Sequence, residues 1–263
     1  MKKPKIAIVP TGTDATSNEL VRQIFEDPMV LELCTPVIYS PGQAPKNADA
    51  ADATILYPTT ERPECPADAT EVVLTEDKCI LPLAGEPTAE DIVKLRDILN
   101  RDLNILSPRI AIVQKTEMQN PDLANSVTAE HGINTYGPYT VEQMKATDMA
   151  SHFDGIVCVG PDTMVQRVIT VLSPEATARF FAGREAVVTT AWQSVRIDEE
   201  EGLADVSALT HPVYLAIDII HNRATYDEAR QNPLQKLYRD KREDKERGEK
   251  PKVEKLNTEN DEQ

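Results

Sequence analysis

Apolar residues fall in short runs along this chain, set off by polar or proline-rich stretches. The runs at 5–9, 36–39, 54–57, 71–74, 79–83, 109–113, 155–159 and 186–189 predict strands. Several are continuous rather than alternating, such as Ile6-Ala-Ile-Val9, Ile110-Ala-Ile-Val113 and Ile156-Val-Cys-Val159. That is the pattern of strands covered on both faces. Helical patterns with start signals lie between them. Thr16-Ser-Asn-Glu19 has the spacing of a capping box and predicts a helix through about residue 25. Thr88-Ala-Glu-Asp91 opens another, with Ile92, Leu95, Leu99 and Leu103 along one face. Asp162 stands as the N-cap of a helix whose apolar stripe is Val165, Val168, Ile169 and Leu172. Ser173-Pro174-Glu175 then restarts the chain with proline in a first turn, and Pro212 begins a long helix containing Tyr214, Leu215, Ile217 and Ile219. The alternation of strand and helix predicts an α/β fold whose sheet is mostly parallel and flanked by helices.

The proline-bearing stretches at 40–52 and 58–68 read as surface loops. From Lys236 onward the chain is dominated by Lys, Arg, Glu and Asp, a composition that extends a helix to about Arg247 and then favours disorder. No internal repeat is visible in the sequence.

Composition narrows the function classes. The 263 residues suffice for one large or two modest lobes, and 40% apolar with 27% charged is the balance of a globular protein. A formal net charge of −16 argues against nucleic acid, whose phosphates require clustered Lys and Arg. No apolar run approaches the length of a membrane span, and the start passes into a strand pattern rather than a signal-peptide core, so the expected location is cytoplasmic, with no membrane partner. Cys34, Cys65, Cys79 and Cys158 lack Cys-x-x-Cys spacing and read as reduced thiols rather than a zinc or disulfide framework.

Four blocks resemble the 4-hydroxythreonine-4-phosphate dehydrogenase family, metal- and NAD-dependent enzymes of pyridoxal phosphate biosynthesis. They are Lys5-Ile-Ala-Ile-Val9 on to Pro36-Val-Ile-Tyr39; Thr88 to Pro108-Arg-Ile-Ala-Ile-Val113; Gly132-Ile-Asn-Thr-Tyr-Gly-Pro-Tyr139 followed by His152-Phe-Asp-Gly-Ile156; and Tyr214-Leu-Ala-Ile-Asp-Ile-Ile-His-Asn-Arg223 followed by Asn232-Pro-Leu-Gln-Lys-Leu-Tyr-Arg-Asp-Lys-Arg242. The first block is similar to Bacteroidetes-type members in particular. The resemblance implies two lobes around a cleft, as in the isocitrate/isopropylmalate dehydrogenase-like fold, with a shortened, divergent chain and a reduced second lobe. The expected division is 1–84 plus 208–235 for the first lobe, 85–207 for the second and 236–263 for the charged tail.

The same resemblance locates the family's site and finds it altered. The family holds a divalent metal through three His residues. The segment carrying the first has no counterpart between Tyr57 and Thr88; the second corresponds to the His-free run Ile80-Leu-Pro-Leu-Ala-Gly85; the third corresponds to Pro161. The imidazole-rich metal site therefore cannot form from matching positions. The glycine-rich first turn becomes Thr11-Gly-Thr-Asp-Ala-Thr-Ser17, the loop after Val113 becomes Gln114-Lys-Thr-Glu-Met-Gln-Asn120, and a family lysine falls near Ile169. An Arg-Thr-Ser-x-Asp-His-Gly run becomes Val188-Thr-Thr-Ala-Trp-Gln-Ser194, keeping hydroxyls at Thr189 and Thr190.

Candidate cleft-lining residues are accordingly Thr11, Gly12, Asp14, Thr189, Thr190 and Trp192, and the weak catalytic candidates are Asp162 and Lys115. An N-cap role explains Asp162 equally well, and a structural role explains Trp192. His131, His152, His211 and His221 are scattered, the last two ten residues apart on one predicted helix. No cofactor is expected from this chain's own residues, although NAD and a divalent metal serve the family. The leading expectation is a catalytically inactive relative with a scaffold, regulatory or subunit-partner role, as a homodimer or as a heterodimer with an intact family enzyme. A second reading is an NAD-dependent dehydrogenase acting on a phosphorylated hydroxy amino acid or similar compound. A third is a small-ligand binding protein using the same cleft.

Overall fold

Ten strands form a single sheet in the order β2-β1-β3-β10-β9-β4-β5-β8-β6-β7. They belong to a computed structural model that describes residues 3–10, 23, 26–40, 51–57, 63–114, 121–172, 176–192 and 206–231. The strands are β1 (Lys5–Pro10), β2 (Thr35–Ile38), β3 (Ala53–Tyr57), β4 (Thr70–Thr75), β5 (Cys79–Leu83), β6 (Arg109–Gln114), β7 (Asn134–Tyr139), β8 (Gly155–Val159), β9 (Ala176–Ala182) and β10 (Val187–Ala191). The described helices are α1 (Pro28–Leu33), α2 (Ala89–Arg101), α3 (Leu123–His131), α4 (Val141–Ala146), α5 (Asp162–Leu172) and α6 (Val206–Gln231), with a 3-10 turn at Met149–His152. Met1–Tyr226 makes up one compact unit and Asp227–Gln263 a second; of the second, only 227–231 at the end of α6 are described.

Strand directions divide the sheet into two groups. β2, β1, β3 and β10 run parallel to one another, as do β5, β8, β6 and β7. Antiparallel pairing of β10 with β9, β9 with β4 and β4 with β5 joins the groups head to tail. The carboxyl ends of the two parallel groups therefore point to opposite ends of the sheet.

The strand order contains a repeat. Counting outward from the centre gives 9-10-3-1-2 on one side and 4-5-8-6-7 on the other. Each strand of the first half thus corresponds to the one five places away in sequence. The β4–β5 hairpin lies among strands of the later half, and the β9–β10 pair lies among those of the earlier half. The sequence-based division assigns β5 to the first lobe and β10 to the second; in the sheet, β5 sits beside β8 and β10 beside β3.

Local sequence explains most of the elements. α2 starts on a capping box in which Thr88 Oγ1 accepts from Asp91 N–H and the Asp91 carboxylate accepts from Thr88 N–H. It buries Ile92, Leu95, Ile98 and Leu99. α4 repeats the device with Thr140 and Gln143, and α3 ends on Gly132 in the left-handed conformation at φ 66°. Asp162 is the first residue of α5 rather than its N-cap, and there its carboxylate favours the positive end of the helix dipole. The predicted stripe on this helix is found at Val165, Val168 and Ile169, joined by Met164. Two further predictions need correction. After 175 the chain forms strand β9, not a helix, and α6 begins at Val206 with Pro212 inside it. That proline donates no hydrogen bond, but its carbonyl accepts one from Thr189 Oγ1 at 2.9 Å. The predicted helix over 16–25 and the tail from 236 fall almost wholly outside the described residues.

Separate cores cover the two faces of the sheet, with a small third cluster of Ala7, Val9 and Ala51. On one face Ile6, Ile8, Val72, Leu81, Ile110, Ile112 and Phe180 pack with Leu95 and Leu99 of α2 and Val213 and Ile217 of α6. On the other, Val73, Ile80, Ala111, Val113, Ile156 and Cys158 pack with Val141 and Met144 of α4 and Val165 and Val168 of α5.

Candidate functional site

Thr11, Gly12, Asp14 and Lys115 lie outside the described residues. Thr189 and Thr190 are fully buried in the sheet, where Thr189 bonds the Pro212 carbonyl and Thr190 Oγ1 donates to the Ala191 carbonyl at 3.4 Å. Their hydroxyls thus hold backbone within the protein instead of facing a ligand. Trp192 is half-buried just past the carboxyl end of β10. Asp162 is exposed at the start of α5, just past the carboxyl end of β8. Since β10 and β8 run in opposite directions, the fold does not bring Trp192 and Asp162 to one end of the sheet.

What the structure does bring together is two charged pairs, one on each face of the sheet. Arg179 of β9 is 1% exposed and its Nη1 lies 3.4 Å from Glu71 Oε1 of β4. Its Nη2 donates to the Ala191 carbonyl at 3.4 Å, and its guanidinium carbon lies 5.8 Å from the centre of the Trp192 ring. In the β4–β9 register Arg179 faces Val73, which places Glu71, two residues earlier, on the same face. On the opposite face Arg223 of α6 donates from Nε to Asp102 Oδ1 at 2.6 Å and from Nη1 to the Glu185 carbonyl at 2.8 Å. Asn222 adds a bond to the Asp102 carbonyl, and the Arg223 guanidinium lies 5.7 Å from the Phe180 ring centre. With Arg179, Asp102 and Arg223 buried, these groups hold conformation.

The turn after β8 holds the residue that the sequence resemblance pairs with the family's third metal ligand. Gly160 has φ 144°, and a Cβ there would come within 3.1 Å of Met164 Cβ, so glycine lets α5 start close against the strand. Its N–H donates to the Leu83 carbonyl of β5 at 2.8 Å. The next residue is the exposed Pro161, whose side chain has no donor atom for a metal, and Ile80 and Leu81 of β5 are buried apolar side chains. Cys79 and Cys158 are buried and burial pushes both thiols up, Cys158 to about 12, so neither offers a thiolate near neutral pH. Among the described residues no three His, Cys, Asp or Glu side chains gather. The residues at these described positions do not fit a divalent metal. His131 and His152 are exposed at the ends of α3 and the 3-10 turn, and His211 and His221 lie ten residues apart on α6.

Comparison with models of known protein families finds no match. Among solved structures, a 4-hydroxythreonine-4-phosphate dehydrogenase from Burkholderia phymatum aligns with a TM-score of 0.55 at 12% identity, covering 83% of this chain and 99% of that one. A putative 4-hydroxythreonine-4-phosphate dehydrogenase from Salmonella typhimurium aligns with a TM-score of 0.57 at 12% identity, covering 83% and 100%. At that identity these two establish the fold alone. In sequence, the 4-hydroxythreonine-4-phosphate dehydrogenase of Bacteroides thetaiotaomicron is 29% identical over 175 residues, 62% of this chain and 48% of that protein. This chain is a relative of the 4-hydroxythreonine-4-phosphate dehydrogenases. It spans about half the length of the curated dehydrogenase it matches. The described positions that the sequence resemblance pairs with family metal ligands carry proline and aliphatic residues. No described helix is long and apolar enough to cross a membrane.

Sequence reading passed over the charged pairs. A signal was present: Arg179 stands in Ala176-Thr-Ala-Arg-Phe-Phe-Ala182 and Glu71 in Thr70-Glu-Val-Val-Leu74, single charges inside apolar runs. A charge so placed needs a buried partner. Which partner it takes depends on strand order, which the runs do not contain.

Proposed function

We propose that this protein is a non-catalytic relative of 4-hydroxythreonine-4-phosphate dehydrogenase, a subunit that keeps the scaffold and works by association. The reading rests on the sequence resemblance, which pairs Pro161, exposed in the β8–α5 turn, with a metal-binding His of the family. The inward threonines of β10 support it too, since their hydroxyls are committed to backbone. The protein acts in the cytoplasm, as a homodimer or bound to an intact dehydrogenase of the family whose activity it adjusts.

The direct test is hydride transfer by the purified chain with NAD, a divalent metal and 4-phosphohydroxythreonine. The expected result is no metal-dependent formation of NADH above a protein-free control. Metal-dependent turnover that a chelator abolishes would overturn the proposal in favour of an active NAD-linked dehydrogenase. Native mass measurement of the chain mixed with an intact family enzyme separates the modes of association: a mixed species supports hetero-pairing, and self-association alone eliminates it.

A further inference from the structure

Two buried Arg–carboxylate pairs cross the boundary between the repeated halves, one on each face of the sheet. On one face Arg179 of β9 meets Glu71 of β4, with side-chain exposures of 1% and 16%. On the other face Arg223 of α6 meets Asp102 at the end of α2, with exposures of 8% and 3%. In each pair the arginine belongs to the half built on β1, β2, β3, β9 and β10. The carboxylate belongs to the half built on β4 to β8. Each guanidinium also lies over an aromatic ring of its own half, Trp192 or Phe180. The two rings therefore hold the cations in place while the carboxylates reach them from across the boundary.

The backbone at that boundary is irregular. β4 and β9 shift register between Leu74 and Thr75, and such a bulge bends and twists a strand pair locally. The hydrophobic effect that covers the joint has no direction of its own. A bond from guanidinium nitrogen to carboxylate oxygen inside the protein is directional, and breaking it leaves a charge enclosed without its partner. The geometry points to a pair of ionic latches that fix the angle between the two halves at the β9–β4 joint. Asp102 and Arg223 form the tighter latch, with Asn222 bonding the Asp102 carbonyl and Glu185 accepting from Arg223. Arg179 and Glu71 form the longer one, at 3.4 Å.

The test measures the spread of angles, which a merely stabilising pair would not alter. Spin labels are placed on cysteines introduced at Ile38 in one half and Leu106 in the other, positions 52% and 73% exposed. The background carries Cys65→Ser, leaving Cys34, Cys79 and Cys158 buried. Double electron–electron resonance then compares the parent with Arg223→Met/Asp102→Leu and with Arg179→Met/Glu71→Leu. These double substitutions remove both charges of a pair and leave apolar packing, which often preserves stability. The expected result is a distance distribution at least twofold broader in the first variant and a smaller broadening in the second, with the circular-dichroism spectrum unchanged. Distributions as narrow as the parent's in both variants would overturn the inference. Asp102→Asn alone is a further arm: it strands the Arg223 charge and should broaden the distribution or unfold the protein, whereas parental width in a folded Asp102→Asn protein also counts against the latch.

Discussion

The thiols show how burial at single residues sets chemistry. Burial raises Cys34 from 9.0 to about 11 and Cys158 from 9.0 to about 12. Both groups favour the neutral form in the folded protein more than in the unfolded chain. Their contribution to stability is whole below pH 9, where both states hold the proton, and is lost as pH rises from 9 through the folded values. The urea midpoint should therefore fall between pH 8 and pH 11. Cys34→Ala/Cys158→Ala should flatten that fall at the cost of a lower midpoint throughout. An unchanged pH slope in the double variant would assign the effect to other groups. The sequence revealed that these cysteines lack metal spacing; it did not reveal the depth of Cys79 and Cys158, which follows from their strands being central. Arg179, Glu71, Asp102 and Arg223 were equally hidden, because a buried charge is made tolerable by a partner remote in sequence.

At the scale of elements, strands with continuous apolar runs and helices with capping boxes were legible, and elements governed by tertiary position were not. β5 and β8 match their predicted bounds, and β1, β3 and β6 differ by a residue or so. β7 escaped notice because Asn134-Thr-Tyr-Gly-Pro-Tyr139 carries turn residues; its place at the sheet edge tolerates Pro138. β9 was hidden by the proline before it and by Arg179 within it. α6 starts ahead of Pro212, where the sequence pattern suggested a first-turn proline because a proline inside a helix forfeits a backbone bond. Close approach between elements yields a sharper expectation. A Cβ at Gly155 of β8 would come within 2.8 Å of Leu99 Cδ1 and 3.2 Å of Leu95 Cδ2 on α2. Gly155→Ala should therefore cost about 1–3 kcal/mol through overpacking, read as a lower urea midpoint. Gly155→Ala combined with Leu99→Val should recover part of it.

Across the whole molecule, the exchanged hairpins decide what counts as a lobe. Alternating strands and helices announced an α/β fold, and the quoted blocks announced the family. The i to i+5 correspondence was invisible because it resides in strand order rather than in similar residues. The exchange also means that neither half can close its sheet alone. A chain ending at residue 175 lacks β9 and β10, which lie between β3 and β4. Such a fragment should show neither the cooperative melting nor the dispersed amide resonances of the whole. Adding 176–231 as a separate peptide should restore both if the halves are complementary. A fragment folding fully without it would show that β3 and β4 do not depend on the pair between them.

The same strand order bears on how the protein is made. β3 runs from Ala53, and its neighbour β10 begins at Val187, 134 residues later. At a synthesis rate of about 5–20 residues per second, one side of the nascent Ala-Thr-Ile-Leu-Tyr strand waits roughly 7–27 s for its partner. During that interval a flat, apolar edge is exposed on the ribosome, the kind of surface that recruits holding chaperones or other unfinished chains.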